Sequence, residues 1–361
     1  MEIMSHDGDH HCRPGSCILF KSQDQSTVLI DIPRSIEEAQ VLPGQIVKRR
    51  IISSSPIKTP WKTPEPKNKD LVQSTSASSA IAELMTLQSV KAALQDVEHN
   101  YKGPWCLPRL SRNANDFNDD DSQLNDTRKR KQTDPVGVTV DTAPRPLVPE
   151  RSRYLLGTIE SRRETFLADS PTFDLMVLDP PWPSRSVKRK QDSYTVAYDM
   201  QEVRNLLSQI PVASRLKTNG LVAVWVTNKA AAADLLTSPN GIFSEWGLEL
   251  VGEWTWLKMT DSGEPVVDVE SQWRKPWERL LLARRRDCAV KLSIPTKVIL
   301  GVPDTHSRKP NLRPLFGGML PQNYTGLEVF ARNLTAGWWS WGNEVLYFQQ
   351  KHHWVEKPDD A

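Results

Sequence analysis

The chain has 361 residues, 38% hydrophobic and 25% charged, which is long enough for two domains or for one domain with a long appendage. Its 46 basic and 44 acidic residues leave a formal charge of +2, so whole-chain charge announces no nucleic-acid partner, and any such contact falls to a local patch. Cys12, Cys17, Cys106 and Cys288 make no disulfide framework in a chain of this length, the start has no signal-peptide pattern and no run demands a membrane span, which together predict an intracellular protein.

In chain order, Cys17–Phe20 and Thr27–Ile32 are apolar runs around the polar segment Lys21–Ser26, which predicts a hairpin. His6, His10, His11, Cys12 and Cys17 are ligand types without the spacing of a metal site, and no metal is expected. After a Pro, Ser, Thr and Lys-rich stretch, Ile81, Leu84, Leu87, Val90, Leu94 and Val97 recur in steps of three and four, the pattern of an amphipathic helix. Hairpin and helix together define an accessory region over residues 1–107; each is too small to stand alone and is expected to dock on the body or on the other. Residues 108–147 combine an acidic stretch, Arg128-Lys129-Arg130-Lys131 and several prolines, the composition of a flexible linker. The basic tetrad reads either as a nuclear localisation signal or as charged linker.

Of 13 tryptophans only Trp61 and Trp105 precede residue 150, which places the well-packed body over residues 148–350, followed by a tail over 351–361. Strand-length apolar runs at Phe173–Leu178, Leu221–Val226, Leu248–Trp256, Leu280–Ala283, Val298–Val302 and Leu327–Ala331 alternate with helical patterns, predicting an α/β sheet with helices on both faces. One helix is expected over Met200–Leu216, with Asn219-Gly220 as its stop.

The run Phe173–Leu178 leads directly into Asp179-Pro180-Pro181-Trp182, so this tetrad sits at the carboxyl end of a buried strand, where open α/β sheets bind ligands. An ionised Asp179 is acceptor-only and the Pro180 carbonyl is another acceptor, so both suit an exocyclic adenine amino group with two N–H donors. Trp182 offers a flat face to a base, a contact of about 1–3 kcal/mol. The bland alternative is a strand ended by two prolines.

The tetrad resembles the signature of the MT-A family of adenine-N6 methyltransferases. Further segments agree in order: Ser186-Val187-Lys188-Arg189, Trp225-Val226-Thr227-Asn228, Glu253 to Lys258, Thr260 to Glu264, His306-Ser307-Arg308-Lys309-Pro310, Glu328 to Asn333 and Gly337 to Glu344. They are similar to the nuclear, methyltransferase-like 4 branch over about residues 150–350. The resemblance implies a Rossmann-like methyltransferase sheet in permuted order, with S-adenosyl-L-methionine as cofactor; no G-x-G-x-x-G occurs in the chain. By motif, Asp179 neighbours the cofactor's methionine moiety, Lys309 pairs with its carboxylate and Arg332 and Asn343 bind its ribose. Glu344 stands at the adenine-contact position, where the mRNA-modifying member has Gln. The resemblance implies 2′-O-methyladenosine of a small nuclear RNA as target and action in the nucleus without a paired methyltransferase subunit. Adenine in DNA, or a catalytically silent nucleic-acid-binding subunit, are the alternatives.

Beyond the motif, Lys188, Arg189 and Lys190 either guide a phosphate backbone into the site or form a solvated loop, and Arg274 and Lys275 are further candidate substrate contacts. Because the cofactor residues all lie downstream while part of the basic surface lies upstream, a fragment from about residue 148 onward is expected to keep cofactor binding but lose RNA affinity.

Overall fold

Phe173, Met176 and Leu178 pack on one face of a sheet while Leu175 and Val177 pack on the other, which is why this strand reads as an unbroken apolar run. The structure is a computed structural model that describes residues 15–62, 77–111, 145–183, 199–271, 274–289 and 294–357. Its strands are β1 (Ile18–Lys21), β2 (Thr27–Ile30), β3 (Arg49–Ile51), β4 (Arg153–Leu156), β5 (Phe173–Leu178), β6 (Leu216–Val226), β7 (Leu248–Lys258), β8 (Trp277–Arg285), β9 (Lys297–Gly301), β10 (Gly326–Val329), β11 (Trp339–Gly342) and β12 (Trp354–Glu356). The helices are α1 (Ile32–Ala39), α2 (Ala77–Asn100), α3 (Ile159–Asp169), α4 (Met200–Ser208), α5 (Val212–Arg215), α6 (Ala230–Thr237) and α7 (Ile242–Glu245).

Ten strands form one sheet in the order β1-β2-β9-β7-β8-β6-β5-β10-β11-β4, and β3 pairs with β12 apart from it. The pairings are mostly parallel; β1 with β2, β7 with β8 and β8 with β6 are antiparallel. From β5 the chain proceeds to β6 on one side, whereas β10, on the other side, comes about 150 residues later. The order therefore reverses between β5 and β10, and the crevice at their carboxyl ends is a topological switch point. The strand that leads into Asp179 precedes β10 and β11 in the chain, as the expected permuted order requires.

One face carries α3, α4, α6 and α7, through Phe166, Val203, Leu207, Leu236 and Phe243, with α2 beside them through Val90, Ala93 and Val97. The opposite face is covered by α1, through Ile32 and Ile36, and by the segment around Leu312, Leu315 and Phe316, which makes one short 3-10 turn over Arg313–Leu315. Asp31 starts α1 by accepting from the Arg34 N–H at 2.8 Å, and its other oxygen takes the Leu107 N–H at 2.8 Å.

The hairpin predicted around residues 17–32 is β1 and β2, and it joins the main sheet because β2 pairs in parallel with β9. The segment that composition set apart as accessory thus shares a core with the downstream body. The predicted linker is anchored at both ends, by Leu110 accepting from the Ser53 N–H and by the Leu147 N–H donating to Gln349. Its residues 112–144, with the basic tetrad, lie outside the described residues, as does the His6–Cys12 cluster.

The helix expected over Met200–Leu216 ends at Ser208, because Pro211 has no N–H to continue the ladder; a short α5 follows. Asn219 and Gly220 do not stop a helix but lie inside β6. A Cβ at Gly220 would stand 3.0 and 3.1 Å from the carbonyl oxygens of Phe173 and Asp174, so glycine permits the close approach of β6 to β5 at a register shift. Among the described residues no helix is long and apolar enough to cross a membrane.

Candidate active site

Strand β5 ends at Leu178, and the next residue, Asp179, projects into a pocket at the carboxyl edge of the sheet whose lining includes Trp225, Ser307, Lys309, Glu328, Phe330 and Arg332. Lys309 donates to Oδ2 and Oδ1 of Asp179 at 3.0 and 3.1 Å and meets Oε2 of Glu278 at 3.2 Å. Oε1 of Glu278 accepts from Lys258 at 2.6 Å. Lys258, Glu278, Lys309 and Asp179 therefore form a chain of alternating charge. Trp256 lies under Lys258 and Trp225 under Lys309, at 4.9 and 5.8 Å from ammonium to ring centre.

Burial by itself would depress the Lys309 ammonium, but the carboxylates of Asp179 and Glu278 outweigh it and hold the group well above the ordinary lysine range. Burial pushes Glu278 up, and the stronger pull of Lys309 and Lys258 takes it down to about 2. Glu328, on β10 opposite Val177, behaves differently: burial, assisted by the negative charge of Asp179, raises its carboxyl to about 8. At neutral pH Glu278 is thus ionised, whereas Glu328 in the pocket lining is protonated and can donate a hydrogen bond. His306 is pushed down by burial and by the nearby cations Arg332, Lys258 and Lys309.

Backbone geometry aims these groups. Ser307 (φ +68°) and Phe330 (φ +61°) occupy the left-handed region just before Lys309 and Arg332, and both line the pocket. A Cβ at Gly342 would meet the backbone of Phe330 and Ala331 at 3.3 Å, so glycine at the end of β11 leaves room for that turn. The loop carrying Lys309 is clamped from behind: buried Arg308 pairs with Asp304, donates to the Ile52 carbonyl at 3.1 Å and lies over the Phe348 ring at 4.3 Å. Asp304 also accepts from the Ser54 N–H at 2.8 Å.

The structure brings together Asp179, Lys309 and Arg332, with Asn343 and Glu344 following β11 at the same edge. Arg332 and Glu344 face each other at 3.1 Å. Within the tetrad, the Pro180 carbonyl already accepts from the Trp182 N–H at 2.8 Å, which leaves one of its lone pairs open. Trp182 departs from expectation: its ring is only 8% exposed, belongs to the helix-covered core and donates through Nε1 to the Trp225 carbonyl at 2.7 Å. It fixes the turn after Asp179, with Pro181 between, and its face is committed to the core. Lys275 is also engaged elsewhere, paired with Glu83 of α2 at 2.5 Å and lying over Trp277. Arg274 lies over the Trp61 ring at 4.9 Å. Lys188, Arg189 and Lys190 are outside the described residues. Glu278, Glu328 and Lys258 are site residues that the sequence reading did not single out, since isolated charges within strands carry no spacing signal.

A mostly parallel sheet with an acid at the carboxyl end of a central strand, and with cationic and hydrogen-bonding groups gathered around it, fits the class of α/β methyltransferases in permuted strand order. The MT-A70 family model matches residues 173–344. The chain is 48% identical to N6-methyladenosine RNA methyltransferase MTA1 of Cryphonectria parasitica, over 95% of this chain and 96% of that protein. It is 46% identical to the protein of the same name in Pyricularia oryzae, over 93% and 96%. Its identity to N(6)-adenine-specific methyltransferase METTL4 of Homo sapiens is 38%, over 58% of this chain and 45% of that protein. The chain belongs to the MT-A70 family, the adenine-N6 methyltransferases that the Asp179-Pro180-Pro181-Trp182 motif resembles.

Proposed function

We propose that this protein transfers a methyl group from S-adenosyl-L-methionine to N6 of adenine in RNA. The observation that carries the reading is Asp179 at the carboxyl end of β5, held by Lys309 beside the switch point of the sheet. The residues present fit the cofactor. A carboxylate and an ammonium side by side, Asp179 and Lys309, suit a zwitterionic amino-acid end, while Arg332 and Asn343 supply donors for ribose hydroxyls. When bound, the cofactor supplies an electrophilic methyl on its sulfonium.

The remaining work falls to the chain itself. Asp179 and the open lone pair of the Pro180 carbonyl accept the two N–H donors of the adenine amino group, which keeps the nitrogen lone pair directed toward the pocket. Glu278 holds Lys309 charged, and Lys309 in turn fixes the Asp179 carboxylate through both oxygens. Protonated Glu328 adds no negative charge next to Asp179. Trp182 and Pro181 keep the turn rigid.

RNA is favoured over DNA because the relatives aligned over 95% and 93% of this chain bear RNA in their names, whereas a Caenorhabditis elegans relative named for DNA aligns over 57%. The likeness of the motif segments to the methyltransferase-like 4 branch implies 2′-O-methyladenosine of a small nuclear RNA as the finer target. Arg128-Lys129-Arg130-Lys131 supports action in the nucleus, and the presence of acceptor and cofactor-binding groups in one pocket supports activity without a paired methyltransferase subunit.

The test is competition between matched RNA and DNA oligonucleotides, the RNA with and without a 2′-O-methyl on its adenosine, read by mass spectrometry of nucleosides. N6-methylation confined to the RNA is the expected result, with preference for the 2′-O-methylated strand. Preferential N6-methyldeoxyadenosine overturns the RNA assignment, and no product from any strand overturns the enzymatic reading.

A further inference from the structure

Trp61 is 41% exposed although the chain around it is pinned to the body. Its own N–H donates to the Val266 carbonyl at 2.8 Å, and the Asp261 N–H donates to Ile57 at 2.9 Å, so residues 57–61 run along the loop that joins β7 to β8. That loop is held on its other side by Trp105. Gly263 (φ +90°) lets the indole in, and a Cβ there would stand 2.3 Å from its nitrogen. The indole of Trp61 is therefore not what fastens the segment; backbone bonds and Trp105 do that. The ring thus stays 41% exposed on a backbone fixed by other contacts and presents aromatic surface that can serve a purpose outside the fold.

Two neighbours indicate the purpose. Arg274 sits over the Trp61 ring at 4.9 Å, and among the described residues no carboxylate pairs with its guanidinium. The acidic groups of the same loop are Asp261, Glu264, Asp268 and Glu270, of which Glu270 is taken by Lys91. Lys58 and Lys62 are exposed beside Trp61. Arg274 is also four residues ahead of Glu278, the partner of Lys309, so their Cα atoms are at most about 14 Å apart. An aromatic face and a guanidinium plane just ahead of β8, whose start lies at the same carboxyl edge of the sheet as Asp179, with Lys58 and Lys62 exposed beside them, form a stacking platform at the rim of the site.

We infer that Trp61 and Arg274 grip a nucleotide flanking the target adenine in a single strand, the base stacking on the indole and the guanidinium contacting base or phosphate. This rests on the nucleic-acid reading above. Stacking is indifferent to base identity, so the platform positions the strand and adds little sequence preference.

The test uses the full chain and a fluorescein-labelled single-stranded RNA dodecamer with one central adenosine, read by anisotropy at several salt concentrations. Trp61→Ala is expected to weaken binding about 5- to 100-fold, the loss of one base stack, and Trp61→Phe to recover most of it. Arg274→Ala is expected to weaken binding and lower the salt slope by about one. Calorimetric affinity for S-adenosyl-L-methionine should equal that of the parent in all three variants. The inference is overturned if the parent does not bind the dodecamer, if Trp61→Ala binds it as tightly as the parent, if Trp61→Phe is as weak as Trp61→Ala, or if cofactor affinity falls alongside. Methyl incorporation by the parent is scored separately: a parent that binds the strand through Trp61 but methylates no adenine leaves the platform standing and removes the proposed reaction.

Discussion

Lys309 ties Asp179 to Glu278 although their strands are not neighbours: β6 runs between β5 and β8, and the ammonium crosses it above the ring of Trp225. One cation thus bridges two carboxylates from separate strands, and it does so where a substrate must enter. Lys309→Met removes the shared partner, leaving Asp179 without its cation and Glu278 with Lys258 alone. The expected outcome is a loss on the order of 3 kcal/mol in denaturant unfolding, because breaking a partly buried pair strands the remaining charge. Cofactor affinity should fall with it, by calorimetry. Lys309→Arg should restore stability better than activity, since a planar fork does not reproduce a point charge between two carboxylates.

Asp179→Asn separates chemistry from folding. Lys309 keeps Glu278 as a partner, and the asparagine fills the same space, so the unfolding midpoint should move little. Turnover should drop about 100-fold or more, because the amide loses the acceptor-only character that orients the amino group, and misplacement of the nitrogen alone costs about that much. Parallel measurement of methyl transfer and of denaturant midpoint checks both halves; wild-type turnover in this variant removes Asp179 from the reaction.

Glu278 and Glu328 give opposite pH signatures. Glu278, held down near 2, contributes stability that is present above the ordinary glutamate value of 4.5 and is lost as pH falls toward 2. Glu328, raised to about 8, binds its proton more tightly in the folded state than in the unfolded chain, so stability declines as pH rises from 4.5 to about 8, by at most about 1.4 kcal/mol per pH unit. Glu328→Gln keeps the shape of the protonated acid and removes the titration. Stability of that variant should be flatter between pH 5 and 8 and exceed the parent's at pH 8. An unchanged slope in urea titrations across this window would show that Glu328 titrates normally.

What the sequence disclosed follows from how locally each feature is encoded. The strand Phe173–Leu178 and the acid that ends it were legible because a doubly buried strand is an apolar run and two prolines mark its end. Lys309, Arg332 and Asn343 were legible only through the resemblance. Glu278 and Glu328 were not, since each is a single acid inside a strand, and its meaning depends on which strands lie alongside. Glu328 faces Val177 across about 150 residues of chain. Strand β4 escaped notice because it is an exposed edge, with Tyr154 and Leu156 in solvent. The first half of α2 shows the converse: Ile81, Leu84 and Met85 follow the helical period yet are 59%, 58% and 63% exposed, and core packing begins only at Leu87. Periodicity predicts a face and not its partner.

A fragment starting near residue 148 contains Asp179, Lys309, Arg332 and Asn343 and on that ground should bind cofactor. The structure makes this fragment incomplete. It lacks β2, which pairs with β9, and it lacks Cys17, Val28, Ile30, Ile32, Ile36 and Ile51, which fill the face beneath Trp254, Trp256 and Phe316. It also lacks the Ile52 carbonyl and the Ser54 N–H that hold Arg308 and Asp304, the pair behind the Lys309 loop. The bared edge of β9 would offer unpaired N–H and C=O groups to other chains. The fragment should aggregate or unfold without cooperativity and show no cofactor binding by calorimetry. In the full chain, Arg308→Met should cost about 3–5 kcal/mol by leaving Asp304 buried without its main partner. A fragment that unfolds cooperatively and binds S-adenosyl-L-methionine as tightly as the full chain would show that the amino-terminal strands are dispensable to the site.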